Sequence, residues 1–346
     1  MGQAAPIVGV TMGDPAGIGP EVILKAAAEA GAATGVRLLV IGHFGTMVRT
    51  CDRLGLPLAL RRVDRPAAAR FAPGTVDVLE ATELDLDRLA IGRVQALAGR
   101  AAADCIDAAV ALALAGEIDA VCTAPVHKEA LRAAGVPHPG HTELLAALTG
   151  ASEVAMLLVG ERLRVAHATT HLALREACER LSAGRIATVI RLAAEVLRAL
   201  GIDRPRIAVA GLNPHAGENG LFGDEEQAVI APAVRAARAA GYHAEGPFPP
   251  DTIFHRAYAG EFDLVVAMYH DQGHIPIKLV HFSDAVNVTA GLPIVRTSVD
   301  HGTAFDIAGR GIADPRNMIA ALRLAARLAN GRTRAGAPSR PADGAE

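Results

Sequence analysis

The chain has 346 residues, 51% of them apolar, and a formal net charge of −3. That length exceeds one ordinary hydrophobic core, so two domains are expected; no apolar run is long enough to cross a bilayer, and the charge gives no basic face for nucleic acid. No secretory leader is read at Met1, and Cys51, Cys105, Cys122 and Cys178 form no C-x-x-C pair, which fits a reducing cytoplasm better than a disulfide framework.

In chain order, residues 7–11 and 36–42 read as short buried strands with a helix over 19–30 between them, a βα unit opening a parallel sheet. Helical periodicity over 92–116 ends at a glycine and precedes a strand at 120–122. Apolar strands are expected at 163–168, 207–210 and 264–268, with helices over 181–200 and 224–240 between them. The last helix is expected over 320–328, and residues 331–346 read as a disordered tail by composition. This alternation predicts doubly wound α/β layers.

Each of those three later strands runs into a histidine: His171, His215 and His270. Parallel strands would place all three imidazoles at the carboxyl edge of a sheet, where open α/β folds hold their ligands. Three imidazoles with positions left open suit a catalytic divalent ion; zinc, cobalt or manganese fit such nitrogens, and magnesium fits if substrate oxygens complete the shell. A single histidine is more often an ordinary hydrogen-bonded residue, and the shared placement is what argues otherwise. Asp271 could orient an imidazole, stand near the metal, or be a solvated carboxylate.

Four further clusters carry chemistry. Gly13, Gly17 and Gly19 turn the chain tightly after the first strand and let the backbone approach a ligand at a helix amino end, although the Rossmann fingerprint is absent. His141 and Thr142 stand at an expected helix start, where they could bind an anion or where Thr142 could simply cap the helix. Lys278 and Arg296 could bind two anionic groups of one substrate while Asn287 bonds a hydroxyl or phosphate oxygen. Only Lys25, Lys128 and Lys278 are lysines in an arginine-rich chain, so Lys278 is a candidate for proton transfer or anion binding. Finally, His301, Gly302, Thr303 and Asp306 form a glycine-containing turn whose aspartate suits an adenosine ribose and disfavours a 2′-phosphate, hence NAD over NADP.

The run His301-Gly302-Thr303-Ala304-Phe305-Asp306-Ile307-Ala308-Gly309-Arg310-Gly311 resembles the adenosine-binding loop of isocitrate and isopropylmalate dehydrogenases. Gly140-His141-Thr142-Glu143, Tyr269-His270-Asp271-Gln272-Gly273 and the three histidines narrow the resemblance to the 4-hydroxythreonine-4-phosphate dehydrogenase family, from about residue 7 to 328. The segment from Ala216 to Glu226 and His274-Ile275-Pro276 resemble its D-threonate/D-erythronate 4-phosphate dehydrogenase branch.

The resemblance implies two doubly wound α/β/α domains with a cleft between them: residues 1–130 plus 285–330 for NAD, and 131–284 for metal, substrate and dimerisation. It implies a homodimer with shared active sites, metal ligands His171, His215 and His270 (two from one subunit and one from the other), and substrate contacts His141, Thr142, Lys278, Asn287 and Arg296. Lys278 and Asp271 would be catalytic, with the cofactor on Gly13, Gly17, Gly19, His301, Gly302, Thr303 and Asp306. The implied reaction is NAD- and metal-dependent oxidation and decarboxylation of a 4-phosphorylated 3-hydroxy acid. It would serve either pyridoxal phosphate synthesis or the route from D-threonate or D-erythronate 4-phosphate to dihydroxyacetone phosphate. A terephthalate dihydrodiol dehydrogenase-like enzyme and, from another class, a phosphate acetyltransferase-like transferase are the alternatives.

Overall fold

The apolar runs that lack polar alternation become strands buried on both faces, as parallel sheets require. In the computed structural model, which describes residues 4–30, 34–138 and 140–334, β1 (Ile7–Thr11) is buried at all of its positions. The chain divides into two compact units, residues 1–152 with 292–346, and residues 153–291. These boundaries differ from the expected 131 and 285. The helices α4 (Lys128–Ala133) and α5 (His141–Thr149) pack on α3 (Ala96–Leu114) and so belong to the first unit.

The first unit holds a parallel sheet in the order β3 (Ala59–Val63), β4 (Thr75–Glu80), β2 (Arg37–Gly42), β1, β5 (Ala120–Thr123), β12 (Arg296–Ser298). Helix α1 (Gly19–Ala30) joins β1 to β2, and α2 (Phe44–Leu54) follows β2. The strand order reverses between β1 and β5, and the crevice beyond that switch point is where such sheets place ligands. At that edge Asp14 N–H donates to Pro125 O at 2.9 Å, tying the two loops together. Helix α11 runs Arg316–Arg334, so residues 331–334 of the expected tail are helical, while 335–346 lie outside the described residues.

The second unit orders its strands β11 (Val286–Ala290), β6 (Ala155–Val159), β7 (Arg164–His167), β10 (Leu264–Ala267), β8 (Ile207–Ala210), β9 (Ala244–Phe248). Here β6 is antiparallel to both neighbours, because the short turn at 160–163 folds it back as a hairpin with β7. This unit is therefore mixed and not purely doubly wound. Its helices are α6 (Leu174–Glu179), α7 (Ala183–Ala199), α8 (Ala231–Ala239), α9 (Ile253–Tyr258) and α10 (His270–Val280). The core gathers Leu158, Val165, Ala208, Val265, Ile253 and Ile277. Among the described residues, no helix is long and apolar enough to cross a membrane.

Candidate active site

In the second unit β7, β10 and β8 lie side by side and run parallel, so the chain leaves all three at one edge. His171, His270 and His215 follow those ends within a few residues. Side chains lace the three loops together. Thr169 Oγ1 donates to Met268 O at 2.8 Å; Gln272 accepts from Met268 N–H at 2.6 Å and donates to Gly211 O at 2.8 Å. A buried polar side chain with both ends satisfied in this way fixes the loops relative to one another.

The rings of His171 and His270 lie 5.6 Å apart on the rim of a cavity of about 290 Å³, which Thr170, Tyr269 and Asp271 also line. Asp271 Oδ1 is 2.7 Å from His270 Nδ1, a pairing that makes Nδ1 the donor and leaves Nε2 as the ligating nitrogen. His215 is placed otherwise: its ring packs 6.3 Å from Phe222, and the described residues bring no three His, Cys, Asp or Glu side chains close enough to hold an ion. The chain thus brings two of the three predicted imidazoles together and holds the third in a turn of its own.

That turn is unusual. His215, Ala216, Gly217, Glu218 and Asn219 all have positive φ, from 43° to 79°. For non-glycine residues this conformation costs about 1–2 kcal/mol each, so the surroundings must impose it. Ionised Glu226 does much of that. Its Oε1 accepts from Leu212 N–H and Asn213 N–H, both at 2.7 Å, and its Oε2 accepts from Asn213 Nδ2 at 3.0 Å. These donors hold its carboxyl below the usual range against the opposing effect of burial.

Two histidines to which the sequence assigns no site role stand behind His270. His274 stacks on it at 3.6 Å, and His274 Nδ1 is 3.1 Å from Nε2 of the fully buried His167. Burial holds His167 neutral down to about pH 3 and His274 to about pH 4, the latter also disfavoured as a cation by His270 and Lys278. The available signal was spacing: His270, His274 and Lys278 recur every four residues and share one face of α10. Asn287, on β11, has its Oδ1 shut off from solvent without a hydrogen-bond partner.

The first unit carries the remaining residues. Arg296 on β12 is buried and donates through Nη2 to Thr123 Oγ1 at 2.7 Å. Burial lowers it to about 10, so it stays charged at neutral pH. His141 opens α5 as expected, and burial with the nearby Arg296 charge lowers it to about 3. His141 Nε2 is shut off from solvent and has no partner, and Thr142 stands beside it in the first turn. A neutral imidazole and a guanidinium at a helix amino end have the chemistry to take an anion.

Around the glycine loop the expectation changes. Residues 11–20 are all buried, and the glycines are packed against the chain itself. A Cβ at Gly13 would meet Pro125 O at 2.5 Å, one at Gly17 would meet Thr303 at 2.9 Å, and one at Gly19 would meet Met12 O at 2.4 Å. Gly17 thus packs directly against the 301–306 loop, while Gly13 and Gly19 pack on Ala124, Pro125 and Met12. Within that loop Thr303 is buried, whereas His301, Gly302 and Asp306 are exposed, and Gly302 faces open space. Beneath lies Asp14, fully buried, with Oδ1 accepting from Ala16 N–H at 2.9 Å and Oδ2 without a partner. His127 stacks on Phe305 at 4.9 Å nearby.

Residues 35–325 match the protein family described as "Pyridoxal phosphate biosynthetic protein PdxA". A D-threonate 4-phosphate dehydrogenase of Pectobacterium atrosepticum is 52% identical over 324 residues, covering 93% of this chain and 99% of that protein. A 4-hydroxythreonine-4-phosphate dehydrogenase of Desulforapulum autotrophicum is 49% identical over 322 residues, covering 93% and 95%. The crystal structure of a 4-hydroxythreonine-4-phosphate dehydrogenase from Klebsiella pneumoniae superposes with a TM-score of 0.88 at 52% identity, covering 95% of this chain and 100% of that one.

Proposed function

The chain belongs to the PdxA family of pyridoxal phosphate biosynthetic proteins, and on that premise we propose that it is a dehydrogenase acting on a CH–OH group of a 4-phosphorylated hydroxy acid. D-Threonate 4-phosphate (or its D-erythronate isomer) is the first substrate and 4-hydroxythreonine 4-phosphate the second, in the order of identity to the relatives so named. Neither the dihydrodiol dehydrogenase nor the transferase alternative is favoured at that level of identity. The oxidation is followed by loss of the substrate carboxylate as carbon dioxide.

The observation that carries this reading is the placement of His171, His270 and His215 beyond three adjacent parallel strands. His171 and His270, facing one cavity with His270 Nδ1 fixed by Asp271, fit a divalent ion; the exposed Asp306 beside open Gly302 fits an adenosine ribose. When bound, NAD supplies the hydride acceptor and the ion a Lewis acid for the substrate hydroxyl. His171, His215 and His270 would hold the ion, with one of them coming from a second copy. His141, Thr142 and Arg296 bind an anionic end of the substrate, and Asn287 donates or accepts at a hydroxyl or phosphate oxygen. Lys278, two turns beyond His270 on α10, takes or returns a proton or pairs with the second anionic group.

The test is a substrate panel with NAD. D-Threonate 4-phosphate, D-erythronate 4-phosphate and 4-phosphohydroxythreonine should each be tried before and after chelation, following reduced nicotinamide and carbon dioxide. Turnover of a phosphorylated acid, lost to chelator and restored by a divalent ion, is expected. No turnover of any of the three, with ion present, would overturn the reading.

A further inference from the structure

We infer that Glu226 is the positioning residue for His215: its buried carboxylate is the post around which residues 211–219 wind into the left-handed turn that presents the imidazole. The inference rests on the reading of His215 as a metal ligand and adds to it a residue with no contact to the ion.

Three observations converge on Glu226. Its two oxygens take three donors from Leu212 and Asn213, the residues that lead into the turn. The turn is moulded to the carboxylate, since a Cβ on Gly217 would stand 2.6 Å from Oε2 and one on Gly211 3.1 Å from Oε1. Glu226 also opens a π-helical turn, Glu226–Ile230, ahead of α8. Pro232 has no N–H to offer the carbonyl four residues back, so the ladder widens there, a device that recurs at functional sites. Without the carboxylate, the backbone N–H groups of Leu212 and Asn213 would lose their acceptor, while the Asn213 amide would keep only Glu225 Oε2 at 2.7 Å. Gly217 and Asn219 tolerate the left-handed region, but His215, Ala216 and Glu218 have no intrinsic preference for it.

The experiment uses the full chain and Co²⁺ as probe, with amide exchange across 212–222 as a second readout. Glu226→Ala should weaken Co²⁺ binding about 10–100-fold, as loss of a residue orienting a ligand does, and should speed exchange in this segment. In a His215→Ala background the same change should weaken Co²⁺ binding no further. Glu226→Gln, which keeps an oxygen for Leu212 and Asn213, should lose less than Glu226→Ala. Unchanged exchange in Glu226→Ala overturns the inference. So does a loss of Co²⁺ affinity that simply adds to that of His215→Ala. If His215→Ala leaves Co²⁺ affinity unchanged, the metal reading of His215 is what fails, and the exchange data alone decide for or against Glu226.

Discussion

Asp14 carries a cost that its neighbours could have removed and do not. Burial raises its carboxyl from 3.8 to about 6, only partly offset by Ala16 N–H and by His127. Below pH 3.8 the group is protonated whether folded or not. Between 3.8 and about 6 the folded state binds the proton more tightly, so Asp14's contribution to stability is lost as pH rises through that window. Asp14→Asn keeps an oxygen for Ala16 N–H and removes the charge. It should therefore be more stable than the parent by about 2–3 kcal/mol at pH 7 and by almost nothing near pH 4, read from urea unfolding at both. Equal stability at pH 7 would mean that the folded chain compensates the carboxylate. The sequence pointed to this loop for its glycines and gave no sign that the aspartate between them is buried. A polar residue's burial depends on distant strands, and residue spacing carries no record of it.

At the scale of elements, α10 and the β7 strand beneath it decide where His270 stands. Gly273 is the point of closest approach: a Cβ there would meet His167 Nε2 at 2.5 Å and Val165 Cγ1 at 2.6 Å. Alanine favours a helix over glycine by about 1 kcal/mol, but overpacking a filled core costs about 1–3 kcal/mol, and here both contacts lie on a buried strand. Gly273→Ala should therefore lower the melting temperature, whereas the reverse shift would show that α10 can slide outward freely. The buried strands β1, β8 and β10 were legible because parallel strands covered on both faces are unbroken apolar runs. The edge strand β3 was not, since Arg61 and Arg62 interrupt it as charges commonly do at an edge. Nor was α10, because His270, Gly273 and Pro276 disguise a helix whose histidines and lysine share one face.

For the whole molecule, the ring pair His171 and His270 leaves His215 in search of an ion, and α10 presents Ile275 and Leu279 outward, followed by Phe282, with Leu279 84% exposed. An exposed apolar strip of that kind is the usual mark of a contact surface. If a second copy covers it and lends one imidazole, single alanine variants of the three histidines should complement one another in mixed dimers. Were all three ligands drawn from one chain, every mixture of two variants would stay inactive. With two from one chain and one from the other, a mixed dimer keeps one intact site whenever the two variants lie on opposite sides. Random association then restores about a quarter of the parent activity in two of the three mixtures. The mixture that stays inactive identifies the two histidines that act from the same chain. Leu279→Glu, which sets a charge on the strip, should give a monomer in sedimentation and abolish the complementation. Restoration in none of the three mixtures would confine the ion to one subunit, and the turn that Glu226 holds would then have to carry His215 to the other two rings within its own chain.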